Sequence, residues 1–399
     1  MTKAGTKLPV LFRGAPHYYR NVNSFAYRSW VEVSLGQIAR NFRAVREVVG
    51  AGVEVMPVVK ADAYRHGAVE VSRRLIAEGA RWLAVSSVEE GAALRDAGIG
   101  ARVLVMADFL PAERAGLLEY RLTPVIHSLE DIAAWDALGR ERGCAAPYHL
   151  KVDSGMGRLG TRGTAADIAA AVHAASSARL EGIMTHLASA ANYSGTQTTE
   201  QIAAFTRLQT ELGRLGIRPD YVHVSSSIPI AYGRREAWQK MVRPGHAVYG
   251  YVSAVSKGVA PERVLSVKPA LTWKASVLAV KELPAGALVG YGGMYRAPGP
   301  MRIAVLAAGY ADGIPHRLGN RGAVIAAGKL APIRGAVSMD LTTIDATATP
   351  ELKPGDAVTL LGTEGGVSID AQQIARTAGT ISYSVLCGIH ARVKRVYVE

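Results

Sequence analysis

The sequence predicts an α/β protein built as a (β/α)8 TIM-type barrel followed by a mostly β C-terminal domain. Two observations carry that reading. Between residues 54 and 243, eight short apolar runs alternate with helix-period segments; after about residue 265, the texture changes to alternating strands broken by Gly and Pro. At 399 residues, 49% hydrophobic and 20% charged, the chain is long enough for two domains with large cores.

Residues 1–27 read as an N-terminal extension. They carry Lys3, Lys7, Arg13 and Arg20 without any acid and lack the apolar core of a secretion signal. Trp30 to Val33 then reads as a strand and Leu35 to Val49 as a helix; these either seal the barrel floor or join the second domain, and the sequence leaves both open. The barrel domain is placed at residues 28–265. Its strands are expected at Glu54–Val59, Trp82–Val85, Arg102–Met106, Leu122–Val125, Tyr148–Val152, Leu180–Met184, Tyr221–Val224 and Met241–Val242. Helices start at signals such as Ser87-Val88-Glu89-Glu90 and Ser128-Leu129-Glu130-Asp131, where the hydroxyl can accept a backbone N–H and the acid can reach back. A doubly wound open sheet is the runner-up, but the first loop holds no G-x-G-x-x-G fingerprint. The β-rich domain is placed at 266–399, with strands at Thr272–Val280, Met301–Ala307, Ala323–Ala327, Leu341–Ile344 and Ala357–Leu361 and a helix at Ile369–Thr377.

The formal charge of +13 includes four cations from the extension, leaving +9 for the rest. Those cations are dispersed among acids rather than massed with aromatics, so a nucleic-acid partner is not expected, whereas an anionic cofactor or substrate is. No apolar stretch is long enough to span a bilayer, so no membrane partner is expected. Cys144 and Cys387 form no C-x-x-C pair, which argues against a disulfide framework or a metal site and suits the cytoplasm.

Barrel enzymes carry their working residues at the carboxyl ends of the strands. There, Lys60 leaves the first apolar run. A partly desolvated lysine has a lowered pKa and is a candidate Schiff-base former; the plainer alternative is a strand cap snorkelling into water. Tyr64 follows it. The fifth strand delivers Lys151, Asp153 and, past a glycine-rich turn, Arg158; the sixth delivers His186. The seventh ends in Ser225-Ser226-Ser227 and the eighth in Arg243-Pro244-Gly245. Small hydroxyls and a glycine amide after the last two strands suit a phosphate. A phosphate cradle and a strand-end lysine in one mouth suggest pyridoxal 5'-phosphate. Arg243, if it faces the pyridine nitrogen, would donate a hydrogen bond without giving up its proton.

In order and spacing these motifs resemble the alanine racemases, the barrel class of pyridoxal-phosphate enzymes, over nearly the whole chain from Ser29. Val58 to Gly67 is similar to the family's cofactor-lysine motif, with Arg65 where glycine is usual. Lys151 to Gly160, Thr185-His186, Met241 to Gly245 and Val248-Tyr249-Gly250 follow. In the second domain come Gly290-Tyr291-Gly292, Gly309-Tyr310-Ala311-Asp312-Gly313, Ser338-Met339-Asp340 and Ile381-Ser382-Tyr383.

The resemblance implies interconversion of L- and D-alanine by a two-base proton transfer, supplying D-alanine for peptidoglycan. Lys60 and Tyr291 would be the catalytic bases, the tyrosine coming from the partner of an obligate homodimer and helped by His186 and Arg243. Arg158 would contact the substrate carboxylate and the cofactor's phenolic oxygen, with Lys151 carbamylated to hold it. Tyr64, Ser227, Gly245, His246 and Tyr383 would surround the phosphate, with backbone amides acting at 245 and 246. Met339 would line the substrate pocket and Tyr310 its entrance, both from the other subunit. Ser226 stands where asparagine is more usual. Plainer readings compete: Tyr249 and Tyr310 as packing aromatics, His186 as a satisfied core histidine, Lys151 as the partner of Asp153. Two other functions are kept: a broad-specificity or serine-preferring racemase, which Lys151 and the compact Gly155 to Gly160 segment disfavour, and a non-catalytic pyridoxal-phosphate carrier, which lacks a β domain.

Overall fold

The computed structural model describes residues 27–107, 109–259 and 261–399. Apart from Tyr27, the expected N-terminal extension lies outside the described residues.

After a first strand β1 (Ser29–Ser34), eight strands form the barrel: β2 (Glu54–Val55), β3 (Trp82–Val85), β4 (Arg102–Val105), β5 (Thr123–Ile126), β6 (Ala146–Lys151), β7 (Ala178–Met184), β8 (Tyr221–His223) and β9 (Met241–Val242). They are all parallel, in the order β2-β9-β8-β7-β6-β5-β4-β3. The ring closes at a Val58–Ala84 bridge, where the Val59 amide donates to Ala84 O at 2.8 Å and the Ala84 amide to Pro57 O at 2.9 Å. Beyond Val55 the run still bonds to the next strand segment, Met56 N to Val242 O and Val58 N to Pro244 O, both 2.9 Å, but the regular ladder ends because Pro57 and Pro244 have no N–H to give. Every residue of β3 and β5 is buried, as parallel strands covered on both faces require. Helices wrap the barrel between the strands. Helix Val88–Asp96 starts at Ser87, whose hydroxyl accepts from Glu90 N, and helix Ala165–Ala174 starts with a full capping box between Thr164 and Asp167.

The pairing of β1 decides between barrel floor and second domain. It lies antiparallel to β10 (Leu271–Leu283) on one side and parallel to the last strand, β19 (Lys394–Val398), on the other. The strand therefore belongs to the sheet of the second domain and not to the barrel floor, so that sheet takes in a strand from the span 28–265 expected to be barrel. Its buried residues alternate (Ser29, Val31, Val33), as a one-sided strand demands. Helix Leu35–Val49 follows at once, capped by Ser34, and buries Ile38, Phe42, Val45 and Val49 along one face.

Ahead of β19 come β11 (Leu288–Val289), β12 (Tyr295–Arg296), β13 (Met301–Leu306), β14 (Ala323–Ala326), β15 (Lys329–Pro332), β16 (Thr342–Asp345), β17 (Ala357–Glu364) and β18 (Val367–Ile369). The nine-stranded sheet runs β15-β14-β17-β10-β1-β19, with β13, β16 and β18 branching from it. The expected helix at Ile369–Thr377 spans Ala371–Ala378, boxed by Asp370 with Gln373 and stopped by Gly379 at φ +67°. The β11–β12 hairpin, β15, β18, the short helix Ser382–Cys387 and β19 were not expected. One contiguous hydrophobic core runs from the barrel into the second domain. No helix among the described residues is long and apolar enough to cross a membrane.

Candidate active site

The first barrel strand hands over to a backbone of the opposite hand. Ala61, Asp62, Ala63, Tyr64 and Arg65 all have φ between +52° and +65°, a left-handed turn without a single glycine. Each such residue is disfavoured by about 1–2 kcal/mol, so the turn must be held from outside. Glu90 does so from the neighbouring helix, its carboxylate accepting from Ala61 N at 2.6 Å and Ser86 N at 2.7 Å. Asp62 Oδ1 accepts from Ala68 N at 2.7 Å, and Arg395 of β19 donates through Nε to Arg65 O at 3.2 Å. At Gly67, with φ +91°, a Cβ would lie 1.9 Å from the Tyr397 hydroxyl, so a side chain there would be strained and would displace Tyr397.

Lys60 opens this turn and lines a cavity of about 640 Å³ at the carboxyl end of the barrel. The same cavity is lined by Tyr64, Lys151, Arg158, His186, Ser227, Arg243, Gly245, His246 and Tyr383. The structure thus brings together all the expected cofactor-binding residues. Four cations reach the cavity and no Asp or Glu lines it, so it selects for anions. Burial first, then the Arg158 charge, lowers the Lys60 pKa, with Glu90 opposing.

Arg243 is buried and organises the wall beneath. Its Nη1 donates to His223 Nδ1 at 2.9 Å, and its Nη2 donates to Thr185 O at 2.9 Å, Val224 O at 3.2 Å and His186 Nδ1 at 3.2 Å. Burial lowers its pKa to about 9, which leaves it cationic at neutral pH. Burial and the Arg243 charge push His186 down to about 3, so its imidazole is neutral. Because a guanidinium only donates, His186 Nδ1 accepts and its proton sits on Nε2. His186 is therefore tied to the cavity wall rather than satisfied within the core.

Lys151 is buried at the end of β6, and burial followed by the Arg158 and Arg243 charges lowers its pKa to about 8. It is not paired with Asp153. That carboxylate accepts from the Gly155, Met156 and Gly157 amides at 2.9–3.1 Å and from Arg162 Nε at 2.9 Å, which fixes the loop that carries Arg158.

Ser227 Oγ accepts from Gly245 N and Ala247 N, both at 3.1 Å, leaving its own hydrogen to donate into the cavity. The Gly245 amide is turned to Ser227 here. A Cβ on Gly245 would lie 2.4 Å from the Tyr64 hydroxyl, so the glycine keeps the cradle open. The Tyr383 ring stacks on His246, centroids 3.9 Å apart, and His246 in turn stacks on Tyr251 at 5.0 Å. Tyr249 is a packing aromatic whose hydroxyl also donates to Val58 O at 2.8 Å, steadying the strand that ends at Lys60.

The remaining expected residues stand elsewhere. Tyr291, Tyr310 and Met339 lie on the second domain, 78%, 42% and 54% exposed, and none lines the Lys60 cavity of its own chain. Tyr310 and Met339 sit on adjoining loops joined by Tyr310 N to Ser338 O and Ala311 N to Met339 O, both 2.9 Å. Gly309 permits that closeness, since a Cβ there would fall within 2.4 Å of two carbonyl oxygens.

Sequence reasoning missed His223, His149 and the bracing role of Glu90. A signal was present for the histidines. Each stands two residues before a strand-end residue already singled out, Lys151 or Ser225, and alternation places residues two apart on the same face.

The chain matches the family description "Alanine racemase, N-terminal domain" over residues 33–253 and "Alanine racemase, C-terminal domain" over residues 270–397. It is 40% identical over 369 residues to an alanine racemase of Carboxydothermus hydrogenoformans, covering 92% of this chain and 99% of that one. Among solved structures, it is similar to the alanine racemase from D-cycloserine-producing Streptomyces lavendulae, with TM-score 0.87 and 30% identity, covering 94% of this chain and 98% of that one. It is also similar to the alanine racemase from Bartonella henselae with covalently bound pyridoxal phosphate, with TM-score 0.81 and 28% identity over 94% of this chain and 100% of that one.

Proposed function

The chain belongs to the alanine racemase family, whose members are isomerases, and on that premise we propose that it interconverts L- and D-alanine with pyridoxal 5'-phosphate as cofactor. The observation that carries this reading is the convergence of Lys60, Arg243 and the Ser227–Gly245 cradle in one anion-selecting cavity.

The residues present fit the cofactor. Its phosphate would meet the free hydroxyl hydrogen of Ser227, the Tyr64 hydroxyl and the space that Gly245 leaves open. Its aldehyde would meet Lys60, whose lowered pKa favours the nucleophilic amine. When bound, the group supplies a conjugated ring that draws electrons from the substrate's α-carbon. Arg243 would donate to the ring nitrogen while keeping its own proton, which limits that withdrawal and favours simple proton exchange.

Two bases on opposite faces of the α-carbon account for racemization. Lys60 Nζ is one, and the partner subunit's Tyr291 is the other. A phenol needs help to act near neutral pH, and His186, with its proton held on Nε2 by Arg243, can donate to the phenolic oxygen. Arg158 would bind the substrate carboxylate, oriented by a carbamate on Lys151. The exposure of Tyr291, Tyr310 and Met339 together supports a homodimer with composite sites, in which the two loops complete the neighbour's pocket. D-Alanine made here would supply peptidoglycan, and the two unpaired cysteines suit a cytoplasmic setting.

The test is direct. Purified protein loaded with cofactor should racemize alanine faster than serine, lysine or arginine, and hydride reduction followed by peptide mapping should place the label on Lys60. Label on another lysine, or no turnover of alanine, would overturn the reading.

A further inference from the structure

Below Arg243, a line of buried polar groups leaves the cavity and descends through the barrel interior. Arg243 Nη1 donates to His223 Nδ1 at 2.9 Å, and His223 Nε2 lies 2.8 Å from His149 Nδ1. His149 Nε2 faces Glu181 Oε2 at 3.8 Å, and Glu181 receives both Arg102 nitrogens, Nη1 at 2.7 Å and Nη2 at 2.5 Å. The residues come from β6, β7, β8, the start of β4 and the position just after β9. His149 and His223 are completely buried.

The hydrogens on this line have one consistent arrangement. A guanidinium donates from every nitrogen and accepts at none, so His223 Nδ1 must present its lone pair. The His223 proton then sits on Nε2 and is given to His149 Nδ1. His149 in turn carries its proton on Nε2, which has no other partner and faces the Glu181 carboxylate. A terminal acceptor matches a terminal donor, with two neutral imidazoles between them.

The space is shaped for this line. A Cβ on Gly182 would fall 2.5 Å from His149 Nδ1, so the residue after Glu181 must be glycine for the imidazole to pass. Trp82 and Tyr221 flank His149 with ring centroids at 5.4 and 5.9 Å, and the Arg102 guanidinium lies 4.0 Å over the Trp82 ring. His149 and His223 are fully buried between these walls, so a misplaced proton would leave a buried polar atom without its partner.

We propose that Glu181 is a positioning residue for the reaction: facing His149 Nε2–H at the far end of the line, its carboxylate favours the tautomer pair that Arg243 requires and so keeps the guanidinium facing the cavity. The link from Arg243 to the cofactor ring nitrogen rests on the function proposed above; the tautomer relay does not. A reversed relay would set His223 Nδ1–H against Arg243 Nη1–H, donor against donor, and turn the guanidinium away from its place.

The test uses the cofactor-loaded protein with ¹⁵N-labelled histidine. Nitrogen spectra of the wild type should show His149 and His223 protonated on Nε2 only, assigned from His149→Phe and His223→Gln. In Glu181→Gln, the negative charge facing His149 Nε2–H is lost, while the amide oxygen can still accept from Arg102. Tautomers should then mix, the cofactor absorption band should shift, and kcat should fall by roughly 10-fold or more with little change in KM, the scale seen when an outer hydrogen-bond partner is removed. Glu181→Asp should restore the tautomers in part. His149→Phe, which leaves the Glu181–Arg102 pair intact, should produce the same change at His223 if Glu181→Gln does not fold. An Nδ1-protonated imidazole in the wild type, or unchanged tautomers and absorption in these variants, would overturn the proposal. Correct tautomers in a protein that does not racemize alanine would refute the function and leave the relay standing.

Discussion

The Arg392 guanidinium sits astride the Asp312 carboxylate, with Nε 2.7 Å from Oδ1 and Nη2 2.9 Å from Oδ2, and Nη2 also reaches Oδ1 of Asp340 at 2.8 Å. One side chain therefore clamps the two loops that present Tyr310 and Met339. Asp312 is almost fully buried and also accepts from Gly309 N at 2.8 Å.

Breaking the clamp should loosen those loops without touching Lys60. For Asp312→Asn, we expect a stability loss of about 2 kcal/mol in urea denaturation, less than for a fully buried pair because Arg392 is partly solvated. The KM for alanine should rise more than kcat falls. An unchanged denaturation midpoint would show that the clamp contributes nothing.

The two proposed bases should fail differently. Lys60→Ala should abolish exchange of the α-proton in both enantiomers, whereas Tyr291→Ala should impair one enantiomer chiefly. Deuterium exchange from each pure enantiomer reads this directly, and equal losses in the tyrosine variant would sink the two-base assignment. An active species at monomer mass in sedimentation would likewise exclude the partner as the source of Tyr291.

Gly245→Ala introduces a Cβ that would lie 2.4 Å from the Tyr64 hydroxyl. The methyl fills the cradle and displaces the tyrosine, so pyridoxal phosphate should bind roughly 10-fold more weakly or worse, a cost of about 1.4 kcal/mol upward. Titrating the cofactor into apoprotein measures it. Wild-type affinity in the variant would place the phosphate elsewhere.

Lys151 offers a pH-dependent chemical test. With its pKa lowered to about 8, the amine is mostly charged at pH 7 and mostly neutral at pH 9. Only the neutral amine attacks carbon dioxide, forming an N–C bond and releasing a proton. At fixed dissolved ¹³CO2, a carbamate carbon resonance should grow across that range and be missing in Lys151→Ala. Its absence from the wild type would mean that another group holds Arg158.

Acid should destabilise the fold well before the carboxylates are protonated. His66 is fully buried with Nε2 unpartnered, and burial lowers its pKa from 6.5 to about 4. Between those values, the unfolded chain binds the proton and the folded chain does not. Stability from this residue is therefore full above pH 6.5 and falls by roughly 3 kcal/mol as the pH drops toward 4. Denaturation midpoints that stay level over that window would contradict this.

Much of the architecture is legible in local pattern. The eight barrel strands are short apolar runs bounded by helix caps, and each strand-end residue follows from where its run stops. What is not legible depends on distant partners or unlikely backbone. No local feature tells that Trp30 will pair with Lys274 and Lys394. Nothing in Ala61-Asp62-Ala63-Tyr64-Arg65 announces a left-handed turn, because its stability comes from Glu90 and Arg395. The Arg243–His223–His149 line is half legible: strand alternation orients the two histidines inward, but only the closed ring brings β6, β8 and β9 to one axis.

The position of β1 between β10 and β19 has a consequence for anyone who would recombine this protein. Its sheet is stitched from both ends of the chain, so a C-terminal fragment expressed alone would leave a slot one strand wide between two exposed edges, an invitation to aggregation. A chimaera cut at the apparent junction near residue 265 would press a foreign strand into that slot. Exchange between relatives should therefore move Ser29–Ser34 together with the C-terminal domain, as one cassette in two pieces.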